Sequence, residues 1–402
     1  MRFLRYITVA GLVLAVGASS AGIAGAQPAR GENDGRGEVV AVQPLRGLDA
    51  DAARDTLAEA QFGTGDVRFG VDTYQVLYRT IDARRRPTVA SGLLALPRNG
   101  ERQLRVVSYA HGTELNRTDA PSMWRDGWAV APALTYASAG FAAVAPDYLG
   151  MGLGPGPHPY LDVTTEASAS LDLLRAARTV AAGQQRVLRR EVYATGFSQG
   201  ASAATALGRA LERGDDGWFR LGALAPVSGA FDLRGAELPA LLGGTVPPPY
   251  NVGYTAYLVV AWNRLHGLYQ RPEEFFAAPY AAKVETLYDG VHTGEDLAAT
   301  LPGTVEELFT PHGLAILREP SGPFAAALAE HDASCDGIRA PARLLVDRTD
   351  EQVPAASSAY CAARLRSGAV VDLGTHPYFG SAHLGSNVTG AAAALTWFRQ
   401  LG

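Results

Sequence analysis

The 402-residue sequence is poor in charge, in cysteine and in long apolar runs, and each scarcity excludes something. Charged residues make up 19% of it and the formal net charge is −5, so it lacks the basic footprint of a nucleic-acid-binding protein. Beyond the first residues, no stretch is both long and apolar enough to span a bilayer. No internal repeat or low-complexity tract stands out from a general Ala/Gly bias. There are only two cysteines, Cys335 and Cys361, 26 positions apart. In an oxidising compartment they are expected to pair, closing a loop whose entropic stabilisation is about 3–4 kcal/mol. The alternative is two separately buried thiols.

What is present begins with an address. Arg2 and Arg5 precede the apolar run Ile7–Val16, and Ala24-Gly25-Ala26 supplies a small-residue cleavage site. Residues 1–26 therefore read as a signal peptide, too short for a membrane anchor, with the mature chain starting near Gln27. No cysteine lies near the cut, which argues against a lipid anchor. The expected location is extracellular or periplasmic.

The remainder is 47% hydrophobic by whole-chain composition, as a well-packed globular protein would be. Residues 27–70 read as an N-terminal segment: Pro28–Gly47 is polar and Gly-rich and is expected to be mobile, and Asp49–Ala60 to form a short helix. Thr73–Ile81 and Thr88–Leu96 flank the charged turn Asp82–Pro87 as a hairpin would. Strands are then expected at Arg105–Ala110, Phe141–Ala145, Glu191–Phe197, Gly222–Val227, Ala342–Asp347 and Ala369–Leu373. Helices are expected at Glu166–Ala182, Gln199–Arg213, Ala355–Ser367 and Ser386–Leu401. This alternation predicts an α/β fold with a mostly parallel central sheet flanked by helices. The rhythm fails between residues 228 and 335, a stretch with Pro239 and Pro247–Pro249 and helical pieces at Tyr254–Leu268 and Val284–Tyr288. It reads as a mainly helical cap inserted between a first core part (71–227) and a second (336–402). Tyr254, Tyr257, Leu258, Val259, Trp262 and Leu265 recur there at helical spacing, so at least one face is expected to be buried: either it only packs the cap onto the core, or part of it, with Leu258 and Trp262 as candidates, lines an apolar acyl tunnel.

The only G-x-S-x-G, Gly196-Phe197-Ser198-Gln199-Gly200, falls between the strand Glu191–Phe197 and the Ala/Leu-rich helix after it. A serine on such a turn is strained, exposed and at a helix N-terminus, where developing negative charge is favoured. A serine hydroxyl needs a base oriented by a carboxylate. Asp350, just before Val353-Pro354, is the preferred acid and Asp347, at the strand end, its rival. Two histidines follow. His383, between the last strand and the last helix, is preferred as base over His376, which precedes Pro377. Acyl transfer also needs donors for an oxyanion: the backbone N–H of Gln199, and one from Gly112 or Thr113 in Tyr109-Ala110-His111-Gly112-Thr113. His111 has no partner at metal-site spacing.

With these residues together, the chain resembles the secretory lipase family of α/β-hydrolases known from fungi and bacteria. The likeness rests on SYAHGT (Ser108–Thr113), PDYLGMG (Pro146–Gly152) with His158-Pro159-Tyr160, GFSQG at the elbow, DEQVP (Asp350–Pro354) and His383. Arg348 and Thr349 stand where many hydrolases carry a glycine before the acid. The resemblance implies ester hydrolysis by Ser198, His383 and Asp350, an inserted lid, no cofactor or metal, and a small-molecule or lipid ester as the only implied partner. A serine peptidase on the same fold, or a binding protein without turnover, are the alternatives.

Overall fold

The computed structural model describes residues 35–401. The expected signal peptide and the first residues of the N-terminal segment lie outside them.

Nine strands form one sheet in the order β1-β2-β3-β5-β4-β6-β7-β8-β9. They are β1 (Val39–Leu48), β2 (Val71–Ile81), β3 (Pro87–Pro97), β4 (Gln103–Ala110), β5 (Ala142–Pro146), β6 (Val187–Phe197), β7 (Arg220–Val227), β8 (Ala342–Val346) and β9 (Gly368–Asp372). β1, β2 and β3 are mutually antiparallel, β3 is also antiparallel to β5, and β5-β4-β6-β7-β8-β9 run parallel to one another. The parallel strands are almost continuous apolar runs because both their faces are covered. On β4 and β5, Val107, Ala143 and Ala145 face one core, which includes α1 (Ala50–Glu59) and α2 (Gly127–Ser138). Val106, Ala142 and Val144 face the other, under α3 (Val163–Gly183) and α4 (Gln199–Arg213).

Two expectations for the N-terminal part need correction. The Val39–Leu48 stretch, most of which was expected to be mobile, is strand β1, paired along β2. Its side chains are mostly exposed, so backbone hydrogen bonds rather than burial hold it, and an edge strand of that kind leaves no apolar alternation to read. Helix α2 was not anticipated at all. It is apolar on all sides, with nine residues buried and Pro132 inside it, and a helix without a polar face has no 3.6-residue stripe.

Between β7 and β8 the chain leaves the sheet for short helices: α5 (Leu238–Leu242), α6 (Tyr250–His266), α7 (Gly294–Thr300), α8 (Val305–Leu308), α9 (Pro311–Arg318) and α10 (Gly322–Asp332). They have a core of their own, in which Phe275, Phe276, Phe309, Phe324 and Trp262 are all but fully buried. α11 (Ala355–Ala362) follows β8, shorter than expected, and α12 (Ala382–Gln400) ends the fold. Cys335, just after α10, is disulfide-bonded to Cys361 on α11. Among the described residues, no helix is long and apolar enough to cross a membrane.

α6 is the spine of the inserted segment, and here the assignment of one side chain changes. Of the two candidates to line an acyl tunnel, Trp262 does not. It is instead 1% exposed, packs edge-on against Phe324 with ring centroids 5.7 Å apart, and donates its indole N–H to the carbonyl of Tyr160 at 3.0 Å. Helical spacing identifies a buried face without saying whether protein or cavity lies opposite it. Trp262→Ala should therefore destabilise the protein by about 3–5 kcal/mol, read as a fall in the urea midpoint.

Candidate active site

The site starts from the turn between β6 and α4. Ser198 sits at φ 56°, ψ −120°, a region a non-glycine residue occupies only when its surroundings impose it. The imposing groups are close at hand. A Cβ at Gly196 would lie 2.1 Å from the Gly200 carbonyl oxygen, and one at Gly200 would lie 2.0 Å from that of Ala110. The Ser198 N–H donates to the Val227 carbonyl at 2.9 Å. Strand, helix and neighbouring strands thus fix the serine backbone before any side chain acts.

The histidine arrives from the other end of the chain. His383 lies in the first turn of α12, which begins at Ala382 rather than at Ser386 as expected. Its Nε2 is 2.9 Å from Ser198 Oγ and its Nδ1 is 2.7 Å from Asp350 Oδ2. The side chains of His383 and Asp350 are 2% and 3% exposed, so water scarcely competes for these bonds. With its hydrogen on Nδ1 donated to Asp350, the ring leaves Nε2 to accept from the serine. Asp350 Oδ1 accepts the N–H groups of Gln352 and Val353 at 2.8 and 2.9 Å, which fixes the carboxylate plane. The rivals lie elsewhere. Asp347 is turned into its own loop, where Oδ1 accepts the N–H and hydroxyl of Thr349 at 2.8 and 2.7 Å. Thr349 thus has a task at a position where many hydrolases carry glycine. His376 is exposed.

Two acidic residues that sequence reasoning did not single out complete the support. Glu351 caps the helix that carries the histidine: Oε2 accepts the N–H groups of Ala382 and His383 at 3.0 and 3.2 Å, and Oε1 accepts the Ser381 hydroxyl. Its place inside Asp-Glu-Gln-Val-Pro was visible, but the helix start it reaches is 31 residues away. Beneath the elbow, the Gln199 side-chain amide donates to Glu166 Oε1 at 2.7 Å and to His158 Nε2 at 2.8 Å, and His158 Nδ1 is 2.9 Å from the Leu149 carbonyl. Burial raises the Glu166 pKa to about 8 against the Gln199 bond, and burial lowers His158 to about 4. Both are therefore mainly neutral in neutral solution, as a dry network requires.

The loop after β4 lies across from the serine. His111 is buried, with Nδ1 2.7 Å from the Gly112 carbonyl and its ring 4.4 Å from that of Tyr148. Burial lowers its pKa to about 4, so it is a neutral part of the loop. Gly112 and Thr113 line a cleft of about 320 Å³ together with Ser198, His383, Trp128 and Tyr378. A smaller cavity, about 40 Å³, touches Ser198, Gln199 and Thr113 from the side of the inserted helices; Leu258 lines it and His383 does not. A third space of about 370 Å³ between α6 and α7 reaches Thr113 and Tyr254. Tyr254 also donates its hydroxyl to Gln352 at 2.6 Å, joining α6 to the acid turn.

No family model and no curated protein matches the sequence. Solved structures do. The rice cell wall degrading esterase LipA from Xanthomonas oryzae is 29% identical, the match covering 91% of this chain and 98% of that one, with a TM-score of 0.79. Candida antarctica lipase A in its closed state is 15% identical over 91% of this chain and 82% of its own, with a TM-score of 0.64, a likeness of fold alone. The chain has the α/β-hydrolase fold.

The Glu351 clamp has a pH signature. Burial pushes this carboxyl upward, but the bonds from Ser381, Gln352 and the His383 N–H outweigh it and leave its pKa below the usual carboxylate value. A lowered folded-state pKa contributes stability above about pH 4.3, the unfolded value, and loses it as the pH falls through the folded one. Glu351→Gln should lower Tm at pH 7, by an amount equivalent to about 1 kcal/mol. The gap to the wild type should close as the pH drops below about 4. Thermal melts across that range check it.

Proposed function

We propose that this protein is an exported serine hydrolase that cleaves carboxylic esters through an acyl-enzyme. The observation that carries the reading is the unbroken relay from Asp350 Oδ2 to His383 Nδ1 at 2.7 Å and from His383 Nε2 to Ser198 Oγ at 2.9 Å, at the wall of an open cleft. The esterase named among the structural matches, 29% identical over nearly its whole length, supports esters as the substrate class. The Cys335–Cys361 disulfide supports an oxidising destination, in keeping with the signal peptide expected at residues 1–26.

In this mechanism the Ser198 oxygen attacks the ester carbonyl carbon while its proton passes to His383 Nε2. Asp350 holds the imidazole by Nδ1–H and stabilises its positive charge. The carbonyl oxygen, now an oxyanion, needs preorganised donors. The N–H of Gln199 suits the task, because at the first position of α4 it has no intrahelical acceptor. Gly112 and Thr113, which border the cleft, offer a second. The tetrahedral species collapses as His383 gives its proton to the departing alkoxide oxygen. Water then attacks the acyl-enzyme by the same route and releases the acid. We read residues 228–335 as a cap that shapes the acyl side of this site through Leu258 and Tyr254.

Ser198→Ala and His383→Ala should each lower kcat by about 10⁴–10⁶-fold with unchanged circular dichroism, and Ser198→Ala should abolish fluorophosphonate labelling. His376→Ala should stay near wild type. Asp350→Asn should cost about 10⁴-fold and Asp347→Asn far less, its main effect being on stability. Hydrolysis of p-nitrophenyl esters measures all of these, and full activity in Ser198→Ala would remove the mechanism.

A further inference from the structure

An ester carbonyl attacked by Ser198 has to lie against that residue, and Ser198 borders two spaces: the larger cleft and the small cavity on the side of the inserted helices. Four residues line both of them, Thr113, Ser198, Tyr254 and Gln352, so the reacting carbon is placed among these four. Their polar groups are nearly all committed. Tyr254 donates its hydroxyl to Gln352 Oε1 at 2.6 Å. The Gln352 amide nitrogen donates to Glu351 Oε1 at 3.1 Å and to Ser381 Oγ at 3.3 Å, which uses both its hydrogens. The Ser198 hydroxyl faces His383 Nε2 at 2.9 Å. Thr113 is the exception.

Among the described residues the Thr113 hydroxyl has one partner, the hydroxyl of Tyr160 at 3.1 Å, and Tyr160 has no other for its own. Two hydroxyls carry two hydrogens, and the bond between them uses one. The phenol is the stronger acid and hence the better donor, so Tyr160 donates, Thr113 Oγ1 accepts, and the Thr113 hydrogen is left over. Exposure agrees. Tyr160 is 4% exposed, whereas Thr113 is half-buried and borders the open cleft. Tyr160 is itself held still: its ring is stacked on Tyr257 with centroids 4.1 Å apart, and its carbonyl accepts the Trp262 indole N–H at 3.0 Å. A fixed phenol thus holds the oxygen of a β-branched side chain with few rotamers of its own, and the spare hydrogen points away from Tyr160. The loop bearing Thr113 is also pressed onto the elbow, since a Cβ at Gly112 would lie 2.9 Å from the ring of Phe197, the residue before the nucleophile.

We propose that the Thr113 hydroxyl is a further catalytic group, a side-chain donor to the oxyanion beside the backbone N–H of Gln199, and that Tyr160 is the positioning residue that aims it. As Ser198 Oγ bonds the carbonyl carbon, the π pair of the C=O bond moves onto the carbonyl oxygen. The Thr113 O–H donates a hydrogen bond to that oxygen and keeps its proton. When the pair returns to re-form C=O, the bond to the alcohol oxygen breaks and His383 supplies the proton that oxygen takes. Such a bond is stronger to the anion than to the neutral carbonyl, so it lowers the barrier rather than tightening the substrate complex. The inference rests on the serine-hydrolase reading.

The test uses the full mature protein, p-nitrophenyl acetate as substrate, and 3-butylthio-1,1,1-trifluoropropan-2-one, a ketone to which a nucleophilic serine adds to give a tetrahedral oxyanion. Thr113→Val, which keeps the shape and loses the hydroxyl, should lower kcat by about 10²-fold with KM near that of the wild type. It should weaken the ketone by a similar factor, because that adduct carries the same anion. Thr113→Ser, which restores the hydroxyl, should recover most of both losses. Tyr160→Phe should lower kcat by up to about tenfold, and the same change made in Thr113→Val should cost kcat nothing more. A merely structural role for the pair would lower the urea midpoint without matched losses in kcat and ketone affinity. Wild-type kcat in Thr113→Val overturns the proposal, as does a loss confined to KM. If Thr113→Val does not fold, Tyr160→Phe decides, and unchanged kcat and ketone affinity there overturn it. Fluorophosphonate labelling of the wild type separates the two levels. If Ser198 labels and these losses are absent, only the Thr113 proposal falls; if it does not label, the hydrolase reading falls and takes this one with it.

Discussion

The packing that forbids a β-carbon at residues 196 and 200 is the constraint on which the site depends. Ser198 is forced to a positive φ because strand β6 and helix α4 approach so closely that only hydrogen atoms fit between their backbones. The strain at one residue is held by contacts spread over the sheet, including the Ser198–Val227 backbone bond and the Ala110 carbonyl that faces Gly200. Because backbone sets the position of the hydroxyl, the histidine and the acid need only be brought to it. Each has its own anchor: the Asp350 carboxylate rests on two backbone N–H groups, and the helix bearing His383 is pinned by Glu351.

How much of this could be read in the sequence follows from how local each signal is. The elbow is a run of five residues between an apolar strand and an Ala-rich helix, so Ser198 could be chosen with no knowledge of the fold. Asp350 and His383 were accessible through chain order and through their loops, and the structure brings both within hydrogen-bond distance of their partners. Glu166 and Glu351 could not be found the same way. Each is an ordinary acidic residue until a partner distant in sequence gives it a surrounding: Gln199 is 33 positions from Glu166, and Ala382 is 31 from Glu351. The missed elements have equally physical reasons. β1 is an exposed edge held by backbone bonds, and α2 is apolar on every side. Neither shows the contrast between faces from which periodicity is read.

The inserted helices illustrate a related point. α6 was apparent from its spacing, but the fates of its side chains diverge within two turns. Leu258 reaches the cavity at Ser198, Tyr254 bonds the acid turn, and Trp262 disappears into a core with Phe324. A helix pattern tells which residues share a face; only the neighbouring elements decide where that face meets protein and where it meets space.

The disulfide divides the machinery unequally. Residues 335 to 361 form a covalent ring that contains β8, Asp347, Asp350, Glu351 and Gln352, while Ser198 and His383 lie outside it. The chain freedom that the bond removes, about 3–4 kcal/mol by loop entropy, is thus removed from the segment supplying the carboxylates. The serine owes its position to steric confinement between two regular elements. The Asp350 turn is an irregular loop after a five-residue strand, held by side-chain bonds to Tyr254, Thr375 and Ser381. Ser198 is held by a crowded backbone and Asp350 by bonds within a covalent ring, so loss of the disulfide would bear on the Asp350–His383 bond more directly than on Ser198.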